Sequence, residues 1–337
     1  MPRLGDSADS LSYESIQYEV EGWVATIAID RPSALNSLNL RAFQEIADAL
    51  RAAAWDDSVA VVVLTGTGDR AFCAGADLKE HRELCKRPRD YHKWISEFIA
   101  MQTRLVRLGK PTVARLNGLV LGAGTELSLA CDLAVAADDV VIKQVGPERG
   151  SVSAIGVTQW LPLVVGDRRA REILLLAEDI PAAKAVDWGL VNQVVPRAEL
   201  DDAVRSLAER LVSQFGESTR QTLTQTGFWK ELVWGVTASH AADWLAIHSG
   251  SPETLEGMEA FLETREPRHS DFRIAARDDR WPEFHGGAPI LQCQCCGAKH
   301  LPAEHLFCGI CGTKLDADAS AIHGARAAVA DAVGEGS

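Results

Sequence analysis

Two apolar-rich runs flank Glu21-Gly22 in IQYEVEGWVATIAI (16–29), which predicts an antiparallel hairpin. Leu40, Phe43, Ile46, Ala47 and Leu50 then recur at helical spacing, so LRAFQEIADALRAAAW reads as a helix with Asn39 as its N-cap. VAVVVLTG (59–66) is apolar without alternation and ends in a glycine-rich turn, the pattern of a strand buried on both faces. A long helix over 90–108, the strand PTVARLNG (111–118), a helix from about Gly124 and the strand LAVAA (133–137) follow. The period is strand, strand, helix.

From about residue 157 the pattern becomes mostly helical, through VTQWLPLVVG, DRRAREILLLA and IPAAKAVDWGL, with a strand at VNQVV and a long helix near 199–214. Residues 221–265 keep helical spacing and carry Trp229, Trp234 and Trp244, which read as core or interface aromatics. The expected organisation is a flexible N-terminus (1–15), a main domain (16–265, its helical C-terminal part about 199–265), and a charged, turn-rich linker (266–289). A small cysteine-bearing module (290–316) and an Ala-rich acidic tail (317–337), frayed or disordered, complete it.

Composition narrows the class. Subtracting 47 acidic from 34 basic residues leaves the 337-residue chain at −13, which argues against a nucleic-acid footprint built from clustered Lys and Arg. No stretch approaches the ~20 apolar residues of a membrane span, and Met1–Ser15 lacks a secretory pattern, so a cytoplasmic, membrane-free protein is expected. Of eight cysteines, five crowd residues 293–311, a distribution that points to metal rather than to a disulfide framework.

Two segments look built for main-chain recognition: AFCAGADL (71–78) after the apolar strand, and NGLVLGAGTEL (117–127) before a helix. Small residues let a ligand approach the backbone closely, and two N–H groups converging on one oxygen form an oxyanion hole. A helix N-terminus aimed at that oxygen adds stabilisation to a developing enolate.

RPSALNSL (31–38), AFCAGADLKE (71–80) and ARLNGLVLGAGTELSLACDLAVAAD (114–138) together resemble the crotonase, or enoyl-CoA hydratase/isomerase, superfamily over roughly residues 16–265. The resemblance implies an α/β fold, a right-handed spiral of ββα repeats with a C-terminal helical trimerisation region. It implies a homotrimer or homohexamer and an acyl-CoA thioester as substrate, with coenzyme A entering as part of that substrate and no redox cofactor. Carried over, the oxyanion donors are the amides of Ala76 and Ala123. Ala34, Leu35, Ala74 and Leu78 match positions lining the coenzyme A path; Lys79 is a phosphate contact or a solvated surface lysine. Glu126 matches one of the two glutamates that hydratases use to move a proton; the alternative is a helix-start carboxylate complementing the dipole.

The chain departs from a simple hydratase in IKQVGPERGSVSAIGVTQWL (142–161), where the position matching the second glutamate is Gly146. Glu148 stands two residues on as a substitute if the loop is reshaped. QVGPxxGS resembles dihydroxynaphthoyl-CoA synthases, whose required aspartate is Ser153 here, and more closely the 6-oxocyclohex-1-ene-1-carbonyl-CoA hydrolases, which VWGVTASHAADWLAIH (233–248) also resembles. That second branch implies water addition to a cyclic enoyl thioester followed by ring opening, with Glu126 as principal base. Gln144, Ser151 and Ser153 then either orient water or the ring ketone or serve as loop hydrogen-bonding groups.

In CQCCGAKHLPAEHLFCGICG (293–312), Cys293 and Cys296 precede Gly297, and Cys308 and Cys311 precede Gly312. Two such knuckles present four thiolates suited to tetrahedral zinc and resemble a zinc ribbon. Cys295, with His300 and His305 nearby, leaves a Cys3His set as an alternative. A closed four-ligand site has no open position for chemistry, so the zinc is expected to be structural and the module to serve protein docking or pocket capping. Three functions remain in play: hydration and ring cleavage of a cyclic acyl-CoA, ordinary hydration or isomerisation of a linear enoyl-CoA, and a coenzyme A-binding scaffold that recruits a protein partner through the ribbon.

Overall fold

The computed structural model describes residues 12–85, 87–278, 290–291, 293–298, 301–302 and 305–315. The expected flexible start up to residue 11, linker residues 279–289, His300 and the tail from 316 lie outside these. The chain divides into two compact units at residues 246/247.

In the first unit, β1 (Ile16–Glu21) and β2 (Val24–Ile29) form the expected hairpin, with Ile16 opposite Ile29 and Glu21 opposite Val24. α1 (Leu40–Trp55) begins where the Asn39 side chain accepts from the Ala42 amide at 2.9 Å, and it buries Phe43, Ile46 and Leu50. β3 (Val61–Gly66) is buried throughout, as its unbroken apolar run requires. β4 (Ala71–Cys73), α2 (Leu78–Cys85) and α3 (Pro88–Val106) follow, and Pro88 opens α3 where a missing N–H costs nothing. β5 (Thr112–Leu116), β6 (Leu119–Leu121) and α4 (Ala123–Ala130) form the next repeat. β7 (Leu133–Ala137), β8 (Val141–Lys143) and α5 (Val157–Val165) form another.

After the opening hairpin, whose two strands share one sheet, the first strand of each repeat joins that sheet and the second joins another. The larger sheet runs β1-β2-β3-β5-β7-β10, parallel from β2 onward; the smaller runs β4-β6-β8-β9. This is the expected spiral of ββα repeats. The small-sheet strands are two or three residues long, too short to show a period of their own, and only their placement after a large-sheet strand reveals them.

The unit continues with α6 (Asp167–Leu176), β9 (Ile180–Pro181), α7 (Ala182–Asp187), β10 (Gln193–Val195), α8 (Leu200–Val212), α9 (Gly216–Thr226) and α10 (Phe228–His248), which runs across the division. Trp234 is buried, its ring 4.9 Å from that of Trp160, whereas Trp229 is exposed.

The second unit contains α11 (Pro252–Leu262) and α12 (His269–Arg277), the latter inside the segment whose turn-forming residues suggested a linker. The buried Glu256 carboxylate is clasped by Arg265 at 2.5 and 2.9 Å and by Arg268 at 3.1 Å, and Glu256 is held down to about 2 against its burial by these bonds. β11 (Ile290–Leu291) and β12 (Leu301–Pro302) pair antiparallel beside the cysteine knuckles. Among the described residues no helix is long and apolar enough to cross a membrane.

Candidate active site

β4 and β6 are parallel neighbours in the smaller sheet, so their C-terminal ends, and the two glycine loops that follow them, emerge side by side. Gly75 (φ 106°) and Gly122 (φ 50°) both occupy the left-handed region, which favours glycine. They also touch: a Cβ on Gly75 would lie 3.3 Å from the Leu121 carbonyl and 3.7 Å from the Ala123 amide. Gly124 packs still closer, since a Cβ there would come within 2.3 Å of the Cys73 carbonyl. The sequence places small residues here because backbone meets backbone.

The first loop is pinned from the other side by residues 35–38. Ala74 donates its amide to the Leu35 carbonyl (3.0 Å), Leu38 to Gly75 (2.8 Å) and Asp77 to Leu38 (2.9 Å). This pattern skips the Ala76 amide. At the second loop Ala123 opens α4, and a first-turn amide has no carbonyl within its helix to bond. Neither the Ala76 nor the Ala123 amide makes a hydrogen bond among the described residues. Two unpaired donors on touching loops, one of them at a helix N-terminus, can bind an oxygen that gains negative charge.

Glu126 lies one turn into α4 and is 5% exposed. Its Oε1 accepts from the Ile155 amide at 3.1 Å, and burial pushes the carboxyl up to about 8 even though that bond favours the ionised form. A carboxyl poised near neutrality can accept or release a proton, the property general acid–base chemistry needs. The helix-start alternative accounts for its position in the first turn but not for its burial beside the two loops.

The residues matched to the coenzyme A path cluster around the first loop. Ala34 ends a short 3-10 turn, Leu35 follows with φ 51°, and Ala74 and Leu78 are half-buried. Lys79 is exposed, and its ammonium has no ion-pair partner among the described residues, which fits a phosphate contact and a solvated surface lysine alike.

The downstream loop is arranged differently from the water-orienting option. Gln144 is fully buried; its Nε2 donates to the Gly122 carbonyl at 3.1 Å and its Oε1 accepts from Ser153 Oγ at 2.5 Å. These bonds tie the second loop to residue 153. Ser151 is half-buried and donates its amide to the Gly146 carbonyl, while its hydroxyl makes no hydrogen bond among the described residues. Glu148 pairs with Lys143 at 2.8 Å near the surface. A Cβ on Gly146 would meet the Ser151 carbonyl at 2.9 Å and Ser153 Oγ at 3.0 Å, so a side chain at the hydratase position points into a closed turn. Gly146→Glu is therefore expected to lower the melting temperature and activity on linear and cyclic thioesters alike. A variant that gains linear hydration would show that this turn yields.

Several positioning residues sit inside the recognised motifs without a chemical signature of their own. Asn36, 1% exposed with φ 55°, donates to the Thr67 and Ala71 carbonyls and accepts from the Arg31 amide. Asn117 bonds the Gly66 and Gly68 carbonyls, and the Arg31 guanidinium meets Asp77 at 2.8 Å. Asn tolerates the left-handed conformation, which was the available signal at position 36.

In the second unit the sulfurs of Cys293, Cys296, Cys308 and Cys311 all lie within 4.8 Å of one another. Gly297 and Gly312 take positive φ, and their amides bond back to the Cys293 and Cys308 carbonyls, closing each knuckle. Cys295 and His305 are exposed and outside the cluster.

Comparison with known proteins gives a consistent picture. The sequence profile described as Enoyl-CoA hydratase/isomerase matches residues 19–272, leaving the cysteine knuckles beyond its end. The chain is 34% identical over 259 residues to a protein named crotonyl-CoA hydratase from Syntrophomonas wolfei subsp. wolfei, covering 76% of this chain and 97% of that relative. An enoyl-CoA hydratase structure from Mycobacterium avium subsp. paratuberculosis K-10 superposes with a TM-score of 0.70 at 28% identity, covering 76% of this chain and 99% of the other. One from Bacillus anthracis gives 0.62 at 32% identity, with coverage of 75% and 98%.

Proposed function

The chain belongs to the enoyl-CoA hydratase/isomerase family, and from that premise we propose that it adds water to a cyclic unsaturated or oxo-acyl-CoA thioester and then opens the ring. It is an acyl-CoA enzyme of the crotonase superfamily, and Glu126 is its single acid–base carboxyl. The observation that carries the reading is the closed turn at Gly146, which leaves no room for a glutamate side chain at that position. An acceptor activated by both a thioester and a ring ketone needs less acid–base help, because its addition intermediate is already a stabilised enolate.

In this scheme the amides of Ala76 and Ala123 hold the thioester oxygen while Glu126 takes a proton from the water that attacks Cβ and then returns it to Cα, which restores the thioester. A second water adds to the ring ketone. The bond between that carbon and the thioester Cα breaks, its electron pair forms the thioester enolate, and the ketone carbon leaves as a carboxylate. The enolate then takes a proton at Cα. Burial of Glu126 beside both loops supports this division of roles. Ala34, Leu35, Ala74, Leu78 and Lys79 are assigned to the coenzyme A moiety.

Hydration of a linear enoyl-CoA is the second reading, favoured by the name of the Syntrophomonas wolfei relative. The protein incubated separately with crotonyl-CoA and with a cyclic oxo-enoyl-CoA is expected to convert the cyclic thioester to a product heavier by two waters. Exclusive conversion of crotonyl-CoA would select the linear reading, and coenzyme A binding with neither turnover would select the scaffold.

Assembly as a homotrimer or homohexamer is supported by exposed apolar side chains on and between the later helices, among them Leu175, Phe215, Trp229 and Val236. For the cysteine module we propose one structural zinc held by Cys293, Cys296, Cys308 and Cys311. Zinc–sulfur bonds of about 2.3 Å place tetrahedral sulfurs about 3.8 Å apart. Cys293–Cys311 at 3.5 Å and Cys296–Cys308 at 3.7 Å fit that spacing. Exposed Leu306, Phe307 and Ile310 beside the second knuckle support a protein-docking role for the module.

A further inference from the structure

A buried base works only if its support holds it, and Glu126 has two supports: the body of α4 and the Ile155 amide. One residue connects to both, directly to the first and through Trp160 to the second. Lys230, in the first turn of α10, sends its ammonium into the interior, where it donates to the Leu129 carbonyl at 2.6 Å and the Cys131 carbonyl at 3.3 Å. These carbonyls close the C-terminal end of α4, where a cation also complements the helix dipole.

The same residue grips the opposite support. Trp160 is fully buried, its Nε1 donates to the Lys230 carbonyl at 3.3 Å, and its ring centre lies 5.7 Å from the ammonium. Gly156, at φ +113°, lies flat on that ring, since a Cβ there would come within 2.5 Å of it. The residue just before Gly156 is Ile155, whose amide bonds Glu126. Gln159 completes the turn by bonding the Gly156 amide and the Ala154 carbonyl.

We infer that Lys230 is a positioning residue for Glu126: it locks the C-terminus of α4 and the 154–156 turn against one another and so sets the contact between the Ile155 amide and the carboxylate. The inference deepens the single-carboxylate reading and rests on it for its kinetic readout. The other titratable groups acting near Glu126 are the Cys73 thiol at the end of β4 and the Tyr91 phenol from α3, both kept neutral by burial. Those acting on Lys230 are Asp132 and Cys131. Loss of the lysine therefore reaches Glu126 by loosening the Ile155 N–H donor, and a weakened donor raises a carboxyl's pKa.

The test compares full-length wild type with Lys230→Met, Lys230→Arg and Trp160→Phe. Lys230→Met is expected to lower kcat on the order of 10- to 100-fold, as sub-ångström misplacement of a catalytic group does, with little change in KM. The titration of Glu126, followed by carboxyl carbon NMR and assigned with Glu126→Gln, should move to higher pH, and Lys230→Arg should restore part of both. A folded Lys230→Met with lowered melting temperature but unchanged kcat and Glu126 titration would overturn the inference. If Lys230→Met does not fold, an unchanged titration in both Lys230→Arg and Trp160→Phe overturns it instead. If the wild type turns over no acyl-CoA, the single-carboxylate reading fails while the NMR titration still decides the role of Lys230.

Discussion

Glu126→Gln is expected to reduce acyl-CoA turnover by about 10²- to 10⁴-fold, the usual worth of a positioned general base, while leaving coenzyme A thioester binding nearly intact. The amide keeps the size of the carboxyl and can still accept from Ile155 at the observed 3.1 Å, so the two oxyanion loops stay in place. What disappears is the proton acceptor. Because burial pushes the carboxyl up to about 8, wild-type activity should rise with pH along a limb near that value, and the limb should vanish in the variant. Stability provides an independent check. A carboxyl whose folded pKa is raised binds its proton more tightly when folded, so its stabilising contribution is complete below the ordinary carboxyl range and is lost as pH climbs toward about 8. The melting temperature of wild type should therefore fall relative to Glu126→Gln across that window. Turnover within a few-fold of wild type, measured with whichever thioester the enzyme accepts, would remove Glu126 from the chemistry.

The parts of this site legible in the sequence are those whose chemistry is local. The 71–78 and 117–127 loops announce themselves because close backbone contact excludes side chains, and Gly75, Gly122 and Gly124 are small for that reason. Glu126 is readable from its offset to the second loop, and the spiral from alternating buried strands and helices. The short strands of the smaller sheet are not readable, because three residues cannot display a period and their pairing is non-local. The roles of Gln144 and Ser153 were open between water and loop. Only their mutual hydrogen bond, and that of Gln144 to Gly122, shows where their polar atoms go. Lys230 lies about a hundred residues from the carbonyls it bonds and looks in sequence like any surface lysine of a helix. Long-range support of this kind is set by packing, which one sequence does not display.

Removing zinc from the cysteine module is expected to unfold it, and one zinc per chain should be found in the intact protein. The module's described residues bury little besides Cys293, Cys308 and Leu315, with Ala298 packed against them, far too small an apolar core to fold a segment of this length. Apparent zinc-binding energies of about 10–16 kcal/mol can supply what such a core lacks, and four thiolates gathered within 4.8 Å of one another would otherwise repel as they ionise. Cys308→Ser takes away a buried ligand at the start of the second knuckle and should abolish stoichiometric zinc in elemental analysis. Cys295→Ser removes an exposed thiol outside the cluster and should keep the metal, which discriminates the four-cysteine set from one that recruits Cys295. Truncation after residue 289 should likewise eliminate zinc yet retain acyl-CoA turnover, since Glu126 and both oxyanion loops lie in the first unit. A Cys295→Ser protein that loses its zinc, or a truncated chain that still carries it, would show that the ligands have been assigned to the wrong residues.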